Sequence, residues 1–256
     1  MYPMAVFKEG GYRYLPSVFQ YSAGVAAEPG FQLVQARFKS VLPIQEAFIY
    51  IEQHLNKIGR PLNAFAHCEL RSPKQFDDQG FIAFNRKYVT TLEKWGIYQA
   101  QTQEGSFINP VARTNVCPEY FGPTEVGMYS FAYTVPAGPD ASASFILAGG
   151  GDAKSGPEPY RERIVAYGDT SNAGLKIKME FVVNEMHQRL ESLGFHWSDV
   201  ISAQAYSVHN IGGLVEEVFA KSGRMHCGIN WYFARPPVSG LEFEMDLRGS
   251  VNQIFV

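Results

Sequence analysis

Cysteine is scarce in this chain, and the little there is does not pair. Among 256 residues the three cysteines, Cys68, Cys117 and Cys227, lie far apart and form no C-x-x-C. Neither a disulfide framework nor a zinc site is signalled, and all three are expected as reduced thiols. The six histidines show no H-E-x-x-H or comparable ligand spacing, which removes the commonest metalloenzyme patterns. Gly149-Gly-Gly-Asp152 is not followed by the Lys-Ser/Thr of a phosphate loop, and no nucleophile elbow or Ser-His-Asp pattern can be argued. Neither a metal nor a nucleotide nor any other cofactor is expected.

Long apolar runs are missing too. Hydrophobic residues make up 46% of the chain, yet no run approaches the roughly 18 residues that suggest a membrane span. The opening Met1-Tyr-Pro-Met-Ala-Val-Phe-Lys-Glu9 has no basic region followed by an apolar stretch and a small-residue cleavage site, so a cytoplasmic protein without a secretion signal is expected. Charged residues are only 18%, the net charge is −3 and the basic residues are scattered. That leaves no electrostatic footprint for a polyphosphate backbone, and neither a nucleic acid nor a membrane is expected as a partner.

What the chain does contain is order. Residues 149–159, Gly-Gly-Gly-Asp-Ala-Lys-Ser-Gly-Pro-Glu-Pro, have the composition of a linker, which divides the chain into units at 1–148 and 160–256. In the first, strand-like segments at 12–21 and 32–38 precede a helix over 42–58, where Ile44, Ala47, Phe48, Ile51 and Leu55 recur at i, i+3, i+4 spacing. A strand at 62–70, a helix at 81–95 and strands at 111–116, 128–135 and 143–148 follow. The second unit repeats the order: a strand at 163–167, a helix at 175–193, a strand at 200–208, a short helix at 213–220 and a closing hairpin at 227–249. Leu55-Asn-Lys-Ile-Gly59 and Leu190-Glu-Ser-Leu-Gly194 end the first helix of each unit. This is the pattern of a tandem repeat, with each unit an α+β fold in which two helices cover one face of a mixed sheet.

Two features carry charge in a suggestive place. Arg113 sits in Asn109-Pro-Val-Ala-Arg-Thr-Asn-Val116, and Glu242, Glu244 and Asp246 alternate with Leu241, Phe243 and Met245 near the C-terminus. Taken alone, a strand arginine is more often a rim salt bridge than a ligand clamp, and alternate acids are more often a solvated face.

The unit order, the L-x-x-[IL]-G helix ends and Gly194-Phe-His-Trp-Ser-Asp-Val-Ile-Ser-Ala-Gln-Ala-Tyr206 resemble the Rid superfamily of enamine/imine deaminases over essentially the whole chain, in two copies. The resemblance implies a chorismate-mutase-like fold, trimeric assembly, and clefts between neighbouring domains that bind small carboxylic acids. It also implies an arginine near the start of the penultimate strand that holds the substrate carboxylate, and a glutamate on the last strand that handles water. Carried onto this chain, the arginine falls on Arg113 in the first copy and the glutamate on Glu242 in the second. Neither copy carries both, so a composite pocket is expected. The diverged tandem form is similar to deaminases of 2-aminomuconate and its chlorinated analogue in aromatic catabolism. For such a dicarboxylate, Arg113 would be one clamp and Arg235 or Arg224 the second. Glu242 would be the general acid/base, with Trp231 and Cys227 beside the substrate. Two other readings stand: hydrolysis of a chorismate-like dicarboxylate, as in other tandem relatives, and carboxylate binding without turnover. A homotrimer, or a dimer of trimers, is the geometric expectation.

Overall fold

The computed structural model describes residues 2–100, 107–224 and 226–256. In chain order its main elements are β1 (Ala5–Phe7), β2 (Tyr12–Tyr14), β3 (Gly24–Ala27), β4 (Phe31–Pro43), α1 (Ile44–Lys57), β5 (Phe65–Arg71) and α2 (Asp78–Lys94). Then come β6 (Ala112–Pro118), β7 (Gly127–Pro136), β8 (Phe145–Gly151), α3 (Tyr160–Arg163), α4 (Asn172–Leu193) and β9 (Ser202–Tyr206). The last are α5 (Gly212–Val218), β10 (Asn230–Tyr232), β11 (Ala234–Arg235), β12 (Glu244–Arg248) and β13 (Asn252–Phe255).

Two units of the same connectivity emerge from the pairing. In the first, β5 lies between a parallel β6 and an antiparallel β7, and β4 pairs antiparallel with β7. In the second, β9 lies between a parallel β10 and an antiparallel β12, and β8 pairs antiparallel with β12. Each unit therefore runs strand, helix, strand, helix, strand, strand. The units also exchange arms. The N-terminal strands β1 to β3 extend the second unit's sheet alongside β8, while β11 and β13 cap the two edges of the first unit's sheet.

Side-chain alternation explains the layers. On β8, Phe145 and Leu147 join the core under α4, which includes Met179, Val183, Met186 and Leu190. Ile146 and Ala148 point the other way, into a core with Ala66, Ala112 and Ala132 of the first sheet. The helices thus cover the outer faces, and the sheets pack against each other through small residues. The helix α4 starts at Ser171, whose hydroxyl accepts from Gly174 N, and stops at Gly194 with φ of 84°, a left-handed position that favours glycine.

A buried polar seam ties the sheets together. Arg248 on β12 donates to Glu69 of β5 at 2.7 Å and to Asp246 at 2.8 Å. Glu69 also receives Arg71, Ser130 and Gln35, while Asp246 receives Thr114 and Tyr206. Burial alone would raise the Glu69 carboxyl, but Arg248 and Arg71 outweigh it and hold the group at about 2.

Three expectations about organisation need correcting. Residue 148 lies inside β8, and β8 opens the second unit's sheet, so the glycines at 149–151 belong to a strand and a boundary at 148 would cut it. Residues 163–167 are not a strand. Arg163 ends the short α3, Ile164 makes one bridge to Ala153, and Ala166 turns the chain at φ of 46°. The segment 227–249 is not a hairpin either. The strands β10 and β12 flank β9 on opposite sides, and β11 between them crosses to the other unit to pair with β6.

Candidate active site

Arg113 occupies an unusual position. It lies on β6, is only 2% exposed, and both terminal nitrogens of its guanidinium are buried without a hydrogen-bond partner among the described residues. Aromatic faces surround it instead, with its Cζ 4.7 Å from the centre of the Tyr88 ring and 5.0 Å from that of Tyr21. Phe81 and Phe84 complete the sleeve at 5.9 and 5.6 Å. Cation–π contacts offset part of the cost of burying the charge but leave the planar N–H fork unused. Such a fork is built for a carboxylate.

The fork borders a cavity of about 760 Å³, large enough for a small diacid. Its walls come from both units. Tyr21, Phe81, Ile82, Arg113 and Asn115 lie in or before the first unit, and the glycine run, Arg189 and Glu244 belong to the second. Residues 153–160 pass over the cavity. Arg163 holds this segment by donating to the carbonyl oxygens of Glu158 and Lys154, each at 2.7 Å, and Tyr160 N donates to Asp78 at the start of α2.

Of the three acids that line the cavity, Asp78, Glu158 and Glu244, only Glu244 is buried. It opens β12, is 4% exposed, and no hydrogen bond among the described residues holds its carboxyl. Burial pushes its pKa well above the ordinary carboxylate range and nearby Asp246 adds to the rise, against the pull of Arg189 and Arg113. A carboxyl whose pKa is raised holds its proton more tightly, which suits it to act as a general acid and then, once ionised, as a base. The glycine run makes room for it. A Cβ at Gly149 would collide with Glu244 Oε1 and come within 3.1 Å of Thr114 Cγ2, and one at Gly150 would lie 3.1 Å from the Arg189 guanidinium.

The structure brings only one of the sequence-predicted site residues into this cavity, Arg113. Glu242 lies two positions before Glu244, ahead of β12, half-buried outside the cavity. Its carboxylate pairs with His209 Nε2 at 2.7 Å and with Arg235 at 4.0 Å. Arg235 is committed to Glu119 through two hydrogen bonds of 2.7 and 3.1 Å. Trp231 is exposed, and its Nε1 donates to the Ser207 carbonyl. Arg224 stands over Trp197 at 5.8 Å, in another part of the fold. Cys227 packs at the edge of the core under α4, where burial raises its thiol pKa. A thiol so shifted has little thiolate character at neutral pH.

Glu244, Arg189 and the glycine floor were missed. Glu242 and Glu244 share one face by alternation, and only the start of β12 decides which reaches the cavity. A glycine run continuing the alternation of Phe145 to Ala148 was the available signal, because glycine inside a strand marks a close approach. Residues of both units of one chain line this cavity. The first unit's last strand, β7, carries no acid, and the second unit's β10 carries no arginine. Among the described residues no three His, Cys, Asp or Glu side chains are grouped so as to hold a metal ion.

A family model described as 2-aminomuconate deaminase CnbZ matches residues 4–254. A curated protein, 2-amino-5-chloromuconate deaminase of Comamonas testosteroni, is 55% identical over 249 residues, covering 97% of each chain. Among solved structures, a chorismatase superposes with a TM-score of 0.53 at 13% identity, covering 89% of this chain and 77% of that one. That match shows a shared fold. A member of the YjgF/YER057c/UK114 family from Mycobacterium tuberculosis aligns over 42% of this chain and 79% of that one, with a TM-score of 0.30 and 17% identity.

Proposed function

We infer, for a chain that belongs to the CnbZ family of 2-aminomuconate deaminases within the Rid superfamily, that the cavity between its two units is where an aminomuconate loses ammonia. The protein is a deaminase, a hydrolase of C–N bonds. The observation that carries the site is the pairing of an unused buried guanidinium, Arg113, with a buried carboxyl whose pKa burial raises, Glu244, in one cavity.

The chemistry follows from these two groups. A 2-aminomuconate is a dicarboxylate whose amino group sits on a conjugated C=C. Arg113 holds one carboxylate through its fork and fixes the substrate against the aromatic sleeve. The Glu244 carboxyl gives its proton to a carbon conjugated with the nitrogen, and the enamine becomes an iminium. Water then adds to C2 as the Glu244 carboxylate takes one of its protons, giving a carbinolamine. Glu244 protonates the nitrogen, the C–N bond breaks, and the hydroxyl proton returns to Glu244 as C=O forms. One water is consumed, one ammonia leaves, and the carboxyl ends as it began. The apolar part of the wall, with Ile82, Val238 and Leu241, suits either a hydrogen or a chlorine on the chain, so both 2-aminomuconate and its 5-chloro analogue fit this reading.

The test is ammonia release from freshly generated 2-aminomuconate by wild type and by Arg113→Met. Turnover lost through a steep rise in KM supports the assignment, and unchanged kinetics overturn it. A homotrimer in the cytoplasm, acting in aromatic breakdown, completes the proposal. Tyr120, Phe121, Trp231 and Phe233 form exposed aromatic surface of the kind that neighbouring copies cover. Light scattering should give about three times the 28.6 kDa chain mass; a mass of one chain would refute the trimer.

A further inference from the structure

Arg113 accounts for one carboxylate, and the cavity contains a second guanidinium whose donors are not used up. Arg189 comes from α4 of the second unit, on a different wall. Its NH1 donates to the Ala148 carbonyl at 3.1 Å, its Nε is buried without a partner among the described residues, and its Cζ lies 5.7 Å from the centre of the Tyr2 ring. It reaches the cavity only because Gly150 has no side chain. Met186, one turn earlier on α4, approaches the same bare backbone.

Of the other cations at the rim, one is already engaged and one faces solvent. Arg163 spends its Nε and NH1 on the carbonyls of residues 158 and 154 and stacks over Tyr160 at 4.2 Å, and Lys154 is exposed on that same segment. Arg189 lines the same cavity as Glu244, and the two approach neighbouring glycines of β8, Gly150 and Gly149. Two guanidiniums therefore line a cavity whose buried carboxyl, Glu244, has its pKa raised by burial. A monoanion would match only one of the two positive charges, the buried Arg113 or the half-buried Arg189, whereas a dianion matches both.

We propose that Arg189 is the second carboxylate clamp, a specificity residue that makes the site select dicarboxylates over monocarboxylates of the same carbon skeleton. This rests on the cavity reading above, with Arg113 as the first clamp. The remaining face of the Arg189 fork receives the distal carboxylate while Ala148 O fixes the orientation of the guanidinium.

The experiment uses two unreactive probes of identical length, trans,trans-muconate, with a carboxylate at each end, and sorbate, with a methyl group in place of one. Binding of each is measured by calorimetry to wild type, Arg189→Met, Arg189→Lys and Arg113→Met, with melting curves to show that each variant is folded. Wild type should bind muconate about 10- to 100-fold more tightly than sorbate, the worth of one charge-assisted pair. Arg189→Met should bring the two probes to within about 3-fold by weakening muconate alone, and Arg189→Lys should restore part of the preference. Arg113→Met should weaken both probes. A muconate preference that survives Arg189→Met, equal weakening of both probes by it, or no preference in wild type would overturn the proposal. Unchanged binding of both probes by Arg113→Met would instead overturn the cavity reading on which it rests.

Discussion

Replacing Gly149 by alanine changes one methyl group on the cavity floor, and the geometry says which property it will alter. The added Cβ would fall well inside van der Waals contact with Glu244 Oε1, so the carboxyl must move by about 1 Å or more. A displacement of that size at a proton-transfer group costs on the order of 10²-fold in rate. Stability should change far less. The colliding atom is the end of a flexible side chain, the next contact is Thr114 Cγ2 at 3.1 Å, and the residue has ordinary strand backbone. Overpacking by one methyl group here should cost no more than about 1 kcal/mol, at the low end for such changes. For a chain of this size that is a fall in Tm of roughly 2–4 °C. The assay is ammonia release under saturating 2-aminomuconate, run beside a thermal melt. A kcat near wild type would refute the argument that this glycine exists to admit the Glu244 carboxyl. A large fall in Tm with proportional loss of active protein would show that the glycine serves packing instead.

Other substitutions separate the site from its surroundings. Glu244 must be protonated to start the reaction, and its pKa lies above the ordinary carboxylate range. Activity should therefore fall on the basic side as pH rises through that raised value, and a flat profile there would contradict the acid role. The same shift carries a sign for stability. A raised carboxyl favours the fold below about pH 4.5, and this contribution is lost as pH rises through the folded value, so Glu244→Gln should melt higher than wild type at neutral pH while losing activity. Glu69 behaves oppositely. With its pKa lowered from 4.5 to about 2, it contributes about 3 kcal/mol above pH 4.5 that is lost as pH falls toward 2. Acid unfolding should steepen in that window for wild type, and Glu69→Gln should remove the steepening and destabilise at pH 7 by about 3–5 kcal/mol in denaturant titrations. Cys227→Ser should keep wild-type kcat and KM, because the thiol lies outside the cavity; a loss of more than about tenfold would return it to the mechanism.

The residues that were legible in the sequence are those whose role depends on local pattern. Periodicity marked α1, α2 and α4 within a few residues of their ends, and a short motif singled out Arg113 on β6. The sequence favours Glu242, while Glu244 is the one that lines the cavity, because alternation specifies a face and not a position along it. Choosing Glu244 requires knowing that β12 begins there and that β8 offers bare backbone opposite. Residues 149–159 read as a linker because glycine-rich composition is shared by flexible segments and by strands that must let a side chain approach. Arg189 had no local signal. On a long helix a lone arginine reads as solvated surface, and only the tertiary placement of Gly150 turns it inward. The segment 163–167 has strand composition, yet only two backbone hydrogen bonds, Lys154 N to Arg163 O and Val165 N to Asp152 O, tie it to the chain before it, and Ala166 then turns it away. A tertiary demand there outweighs β-propensity.

The central claim is that Glu244, and not its neighbour two residues earlier, is the acid that moves protons in the reaction. Ammonia release from freshly generated 2-aminomuconate by Glu244→Gln and Glu242→Gln, side by side with wild type, tests it most directly. Glu244→Gln should lower kcat by about 10²- to 10⁴-fold, the usual worth of a positioned general acid. Glu242→Gln, which removes only the charge paired with His209 and Arg235, should stay within about 3-fold of wild type, a loss of under 1 kcal/mol. The reverse order, with Glu242→Gln inactive and Glu244→Gln turning over normally, would contradict the account.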